Sequence, residues 1–146
     1  APAPFEAGAT LGQALLRPTR IYARQAVALA RAGLAHGMAH ITGGGLIENP
    51  QRAFAKDLAL ELDMAKVPMP PVFDWLQATG DIARRDMART FNCGAGMLIY
   101  VAPDKADDAL ALLAATDAGD AVIAGRLVAR NGGDDIRLTG LDKWRA

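Results

Sequence analysis

The residues best placed to do chemistry lie in His40-Ile41-Thr42-Gly43-Gly44-Gly45-Leu46-Ile47-Glu48-Asn49. An apolar run ends at Ile41, three glycines free the backbone, and an amphipathic segment with Pro50 near its start follows. Glycine permits positive φ and lets a ligand approach the main chain. Where such a turn opens into a helix, free N–H groups and the positive dipole end face the ligand, and phosphate is the usual guest. A plain tight loop uses the same glycines, so both readings stand. A second loop, Arg89-Thr90-Phe91-Asn92-Cys93-Gly94-Ala95-Gly96, repeats the logic. Meeting at one sheet edge, the two would form a polar pocket beside a packed core. Thr42 and Asn92 would add neutral groups suited to sugar hydroxyls or phosphate.

The remaining candidates are weaker. His36 and His40 are four apart, which places both on one face of a helix or a strand. No HExxH motif or paired cysteines accompany them, so a closed zinc site lacks ligands and no metal is expected. His40 reads either as a rim histidine or as a catalytic or substrate-contacting group. Cys93 reads as a buried small hydrophobe, reactive only beside a helix N-terminus. Arg20 sits at a helix start, which the dipole disfavours, so it is either an anion contact or a solvated cation. Phe73 and Trp75 read as core or partner-surface aromatics.

Composition narrows the class. The chain has 146 residues, 51% hydrophobic and 22% charged, the proportions of one globular domain. Sixteen basic and sixteen acidic residues cancel, leaving no electrostatic footprint for nucleic acid or anionic lipid. Aromatics make up 5%, too few for base-stacking platforms. A single cysteine excludes an internal disulfide and fits a reducing compartment. Residues 1–10 lack the basic and apolar regions of a secretory signal, and the apolar run 94–103 is too short to cross a bilayer. A cytoplasmic domain is expected.

These residues need elements to position them. Residues 1–8 read as a flexible lead-in, and residues 11–16 as one or two helical turns. Thr19 is placed to cap a helix over 21–32, stopped by Gly33, and residues 34–41 form the strand that feeds the first loop. A short helix is expected over 46–54, then a strand over 57–63 whose leucines alternate. Pro71 begins a helix over 72–79 ended by Gly80, and Asp81 caps another over 82–87. The continuous apolar run 97–101 predicts a central, doubly covered strand. Asp104 is placed to cap a helix over 105–115. A strand over 121–129, with Gly125 a candidate bulge, precedes the turn Asn131-Gly132-Gly133-Asp134, and 136–139 returns antiparallel. The order predicts an α+β fold, a layered mixed β-sheet covered by helices.

Together, Pro18-Thr19-Arg20-Ile21-Tyr22, the His40–Asn49 segment, Val72-Phe73-Asp74-Trp75-Leu76-Gln77 and Arg89-Thr90-Phe91-Asn92-Cys93-Gly94-Ala95-Gly96-Met97 resemble one family in order and spacing. It is the PurM-like family, specifically the C-terminal domain of aminoimidazole ribonucleotide synthetase, or phosphoribosylformylglycinamidine cyclo-ligase. The resemblance covers about residues 9–140, with residues 9–146 read as the domain.

It implies an ATP-dependent ring closure in purine biosynthesis. ATP phosphorylates the formyl amide oxygen of formylglycinamidine ribonucleotide, an amidine nitrogen attacks, and phosphate leaves as the imidazole closes. The protein then supplies positioning and charge neutralisation. ATP and Mg2+ are expected to bind through an N-terminal ATP-binding domain that this sequence does not include, and which forms a homodimer in the full-length enzyme. The histidine- and serine-containing segment that opens the family's C-terminal domain is also not found. The resemblance places Thr42, Gly43, Gly44 and Gly45 against the ribonucleotide's phosphate or ribose, and His40 beside substrate as the catalytic candidate. Asn92, which also shapes the second loop, and Gly94 are placed as further substrate- or phosphate-binding residues, and Arg20 as a further anion contact. Thr42→Pro or Gly44→Val is expected to stop turnover without unfolding. The alternatives are a non-catalytic assembly module and the same domain of formylglycinamidine ribonucleotide synthetase, selenophosphate synthetase or thiamin-phosphate kinase.

Overall fold

Helices alternate with strands along the chain, and the strands gather into two sheets. A computed structural model describes residues 1–116, 118 and 120–144. Six α-helices, α1 (Leu11–Leu15), α2 (Ala23–Arg31), α3 (Gly45–Glu48), α4 (Pro71–Gly80), α5 (Arg84–Thr90) and α6 (Ala106–Ala114), accompany five strands. The strands are β1 (Ala35–His40), β2 (Leu58–Asp63), β3 (Met97–Val101), β4 (Gly125–Ala129) and β5 (Ile136–Thr139). β1 and β3 form an antiparallel pair, and the second sheet has the order β4-β2-β5. In it β4 runs antiparallel and β5 parallel to β2, so the sheet is mixed. The fold is α+β, as the order of elements predicts.

Two apolar cores hold the layers. Residues of β1 and β3 alternate between them, as the period of a strand requires. Met38, Ile99 and Val101 face Leu29 of α2 and Ala109 and Leu113 of α6. Ala39, Leu98 and Tyr100 join Leu60, Leu62, Leu46 and Met87 in the larger core. Trp144 closes that core, 1% exposed, and its indole N–H donates to the Val67 carbonyl at 3.2 Å.

Local chemistry explains most boundaries. Thr10 and Gln13 make a reciprocal capping box at α1: the Thr10 hydroxyl accepts the Gln13 N–H, and the Gln13 side chain accepts the Thr10 N–H. Ahead of it, residues 1–8 fold back, with Ala3 buried and its N–H donated to the Ala9 carbonyl at 2.9 Å. Pro71 occupies the first turn of α4, where a missing N–H costs nothing.

Several expectations are corrected. α2 begins at Ala23 with Tyr22 at its cap position, so Thr19 lies outside it; packing of Tyr22 sets the start. The helix expected over 46–54 breaks at Pro50, which lacks an N–H, into the single turn α3 and a 3-10 turn, Pro50–Ala53. Asp81 takes a left-handed φ of 48° and ends α4 instead of capping α5. Asp104 lies inside a 3-10 turn, Pro103–Lys105, and does not cap α6. β3 is covered on both faces but is not central, because it pairs only with β1 among the described strands. Gly125 is no bulge: it stays in register opposite Leu62, and a Cβ there would overlap the Glu61 carbonyl. β5 does not form a hairpin with β4, because β2 lies between them. The 130–135 connection rounds the start of β2, where Arg130 N–H donates to the Asp57 carbonyl and Leu60 N–H to that of Asp135, both at 2.8 Å.

Candidate functional site

β1 delivers His40 to its end, paired with Met97 at the start of β3, and Ile41 N–H donates to the Gly96 carbonyl at 2.9 Å. This register brings the two glycine loops together at one end of the two-stranded sheet, the first leaving β1 and the second feeding β3.

The first loop is held from outside by a residue the sequence reading leaves without a role. Asn49 is 2% exposed; its Oδ1 accepts the Thr42 N–H at 2.6 Å and its Nδ2 donates to the Gly43 carbonyl at 3.0 Å. Gly45 N–H donates to the Thr42 carbonyl at 2.9 Å. Gly44 has φ +98°, a conformation nearly closed to other residues, and a Cβ on Gly45 would overlap the Ala88 carbonyl at the end of α5. The N–H groups of Thr42 and Gly45 are therefore occupied. Those of Gly43 and Gly44 donate to no acceptor among the described residues, and Gly43 is exposed. Because α3 is one turn long, its macrodipole is short, and these two N–H groups carry whatever anion affinity the loop has.

The second loop closes on itself. Asn92 Oδ1 accepts the Gly94 N–H at 3.1 Å, and its backbone carbonyl accepts the Ala95 N–H at 2.9 Å. Gly94, at φ +99°, lies against Pro68 and Pro70 and has no spare N–H to offer. Cys93 is fully buried, and desolvation pushes its thiol up to about 12, so it remains a protonated, unreactive thiol at neutral pH.

A row of side chains leads up to this end. The Tyr22 ring packs edge-on against the His40 ring with centroids 6.0 Å apart, and a Cβ on Gly96 would overlap the Tyr22 hydroxyl. The Arg20 guanidinium sits 5.9 Å from the Tyr22 centroid and makes a bidentate pair with Asp120 at 2.7 and 3.0 Å. That pair holds the Asp120 carboxyl below its usual range, chiefly through the Arg20 hydrogen bond. Arg20 thus meets an anion already present in the chain. His40 is exposed at the edge of the loop. His36 falls in a break of the β1 register between Ala35 and Gly37, which disrupts the alternation that would have put it on one face with His40. Among the described residues no group of three or more His, Cys, Asp or Glu gathers. No described helix is long and apolar enough to cross a membrane.

The structure therefore joins His40, Thr42, Gly43, Gly44, Gly45, Asn92 and Gly94 at one sheet end, with Arg20 reached through Tyr22. Asn49 and Tyr22 escape a sequence reading because their role is contact with distant backbone. Thr42→Pro would delete the N–H that satisfies buried Asn49, and Gly44→Val would strain a positive φ, so both act on the loop's own structure.

The fold is a mixed α+β layer domain with two glycine loops at one sheet end. The family model for the AIR synthase related protein, C-terminal domain, matches residues 2–136, and the chain belongs to that family.

Proposed function

We propose that this chain is the substrate-side wall of a phosphoribosylformylglycinamidine cyclo-ligase. That enzyme closes the imidazole ring of formylglycinamidine ribonucleotide to give aminoimidazole ribonucleotide, and it acts in the cytoplasm. The observation that carries the reading is the Asn49-stapled loop, whose Gly43 and Gly44 N–H groups are unused beside exposed His40. Two adjacent backbone donors on a fixed turn suit a phosphate or ribose oxygen, because their geometry is set before the ligand arrives. Thr42 contributes its hydroxyl, His40 its ring at the substrate edge, and Asn92 and Gly94 fix the neighbouring loop.

ATP and Mg2+ belong, on this reading, to an N-terminal ATP-binding domain, and the complete enzyme is a homodimer. This chain's share of catalysis is orientation of the ribonucleotide. Thr42-Gly43-Gly44-Gly45 with Arg89-Thr90-Phe91-Asn92 favours the cyclo-ligase over the formylglycinamidine ribonucleotide and selenophosphate synthetases.

The test is a chemical-shift titration of the chain with formylglycinamidine ribonucleotide and, separately, with ATP. Saturable shifts at the Gly43 and Gly44 amides from the ribonucleotide alone are expected. Shifts there from ATP alone, or from neither ligand, would sink the substrate-wall assignment and leave an assembly module as the better reading.

A further inference from the structure

The chain has two tyrosines, Tyr22 and Tyr100, and the fold treats their hydroxyls differently. Tyr100 stands on β3 with its ring edge-on to Phe54, centroids 5.6 Å apart, and its hydroxyl donates to the Pro50 carbonyl at 3.3 Å. Burial pushes its phenol up, so it stays a protonated donor. Ring and hydroxyl are both satisfied within the chain, which is the ordinary state of a structural tyrosine.

Tyr22 is held at its ring but not at its hydroxyl. The His40 ring meets it edge-on at 6.0 Å, and the Arg20 guanidinium lies 5.9 Å from its centroid. The phenol crosses over Gly96, where a Cβ would overlap the hydroxyl. Gly96 takes no left-handed φ, so this glycine serves the space above it and not the backbone. Its carbonyl accepts the Ile41 N–H, which sets the Tyr22 hydroxyl at the junction of the two glycine loops. Among the described residues that hydroxyl has no hydrogen-bond partner, and it retains accessible surface in a half-buried residue.

We propose that the Tyr22 hydroxyl is a ligand-contacting group of this site and donates to an acceptor oxygen of the bound ribonucleotide. The proposal rests on the cyclo-ligase reading for the ligand and on the geometry of Tyr22 for the contact. The partner is an acceptor because the other unused groups at this sheet end, the Gly43 and Gly44 N–H, are donors too. The ring is already fixed by His40, Arg20 and Gly96, so little side-chain entropy is lost when the hydroxyl engages.

Tyr22→Phe tests it, since the ring stays against His40 and Gly96 and one oxygen goes; Tyr100→Phe is the matched control. Each full chain is titrated with formylglycinamidine ribonucleotide and followed by amide chemical shifts. Tyr22→Phe is expected to bind about five- to tenfold more weakly than the unaltered chain, the increment of one hydrogen bond, with its urea midpoint unchanged. Tyr100→Phe should show the reverse, full affinity and a lower midpoint. In the unaltered chain carrying fluorotyrosine, the fluorine resonance of Tyr22 should move with ligand while that of Tyr100 stays still. Should Tyr22→Phe not fold, this resonance decides, and a Tyr22 signal that does not move overturns the proposal. Equal affinity of Tyr22→Phe and the unaltered chain overturns it and leaves the cyclo-ligase reading standing. Equal weakening by both variants assigns the loss to packing and overturns it as well. No binding by the unaltered chain overturns that reading and this proposal together.

Discussion

The two glycine loops share one sheet end and a similar composition, yet they are built on opposite plans. The 41–45 loop is clamped by a buried side chain seven residues from Thr42, and the clamp leaves two N–H groups unused. The 91–96 loop is clamped by its own Asn92, buries Cys93, and spends the Gly94 N–H internally. Glycine content alone therefore does not count available donors. What counts is which N–H groups the loop needs for itself: those of Thr42 and Gly45 in the first loop, those of Gly94 and Ala95 in the second.

The sharpest way to break this contrast lies within the first loop. Gly45→Ala places a methyl group against the Ala88 carbonyl at φ +57°, and strain plus overlap should cost about 3 kcal/mol. Gly43→Ala meets open space at an ordinary φ and should change stability by less than about 0.5 kcal/mol. Urea unfolding of the two variants measures the difference, and equal losses would mean that α5 does not anchor the turn. Next comes Asn49→Ala, which leaves the Thr42 N–H and the Gly43 carbonyl without their buried partner. A loss of about 2 kcal/mol is expected, with the amide shifts of Gly43 and Gly44 moving and those of Asn92–Gly94 unchanged. Movement of both sets would show that the loops are one unit.

How far the sequence could be read follows the same line between local and distant causes. The Thr10 cap, Pro71 at a helix start, Gly33 at a helix end and the alternating leucines of β2 are local signals, and each leads to the observed element. Three proposed caps failed, at Thr19, Asp81 and Asp104, because side-chain type alone does not fix where a helix begins. Tyr22 is pinned against Gly96, and Pro103 starts its own 3-10 turn. The turn at 131–134 was legible, but the pairing after it was not, since strand order is set by β2 sliding between β4 and β5. At the site, the loops and their meeting point could be read. The clamp could not: Asn49 looks like any residue ahead of a proline until Thr42 and Gly43 fold back onto it.

A smaller effect sharpens the picture of the second loop. Asn92→Ala removes one hydrogen bond to a partly exposed N–H, which water can replace, so a loss of about 0.5–1 kcal/mol is expected. Urea unfolding measures it beside Asn49→Ala. A loss as large as that of Asn49→Ala would mean that the second loop depends on its asparagine as heavily as the first, and the contrast between external and internal clamping would fail.

The smallest effect concerns the cation that leads to both loops. Arg20 holds the Asp120 carboxyl below its ordinary value of 3.8, so the pair stabilises the fold above that pH and loses its effect as pH falls through the lower folded value. Both side chains are well exposed, 40% and 68%, and solvent screening limits the contribution to less than about 1 kcal/mol. Asp120→Asn should therefore lower stability slightly at neutral pH, and the gap to the unaltered chain should close as the solution is acidified below 3.8. Added salt should narrow it as well. The measurement is a pair of urea-unfolding series across pH. A gap that persists at low pH would assign the loss to packing at residue 120. A gap that closes shows that Arg20 is electrostatically committed to Asp120, so that any anion arriving at the glycine loops must compete with a carboxylate already in place.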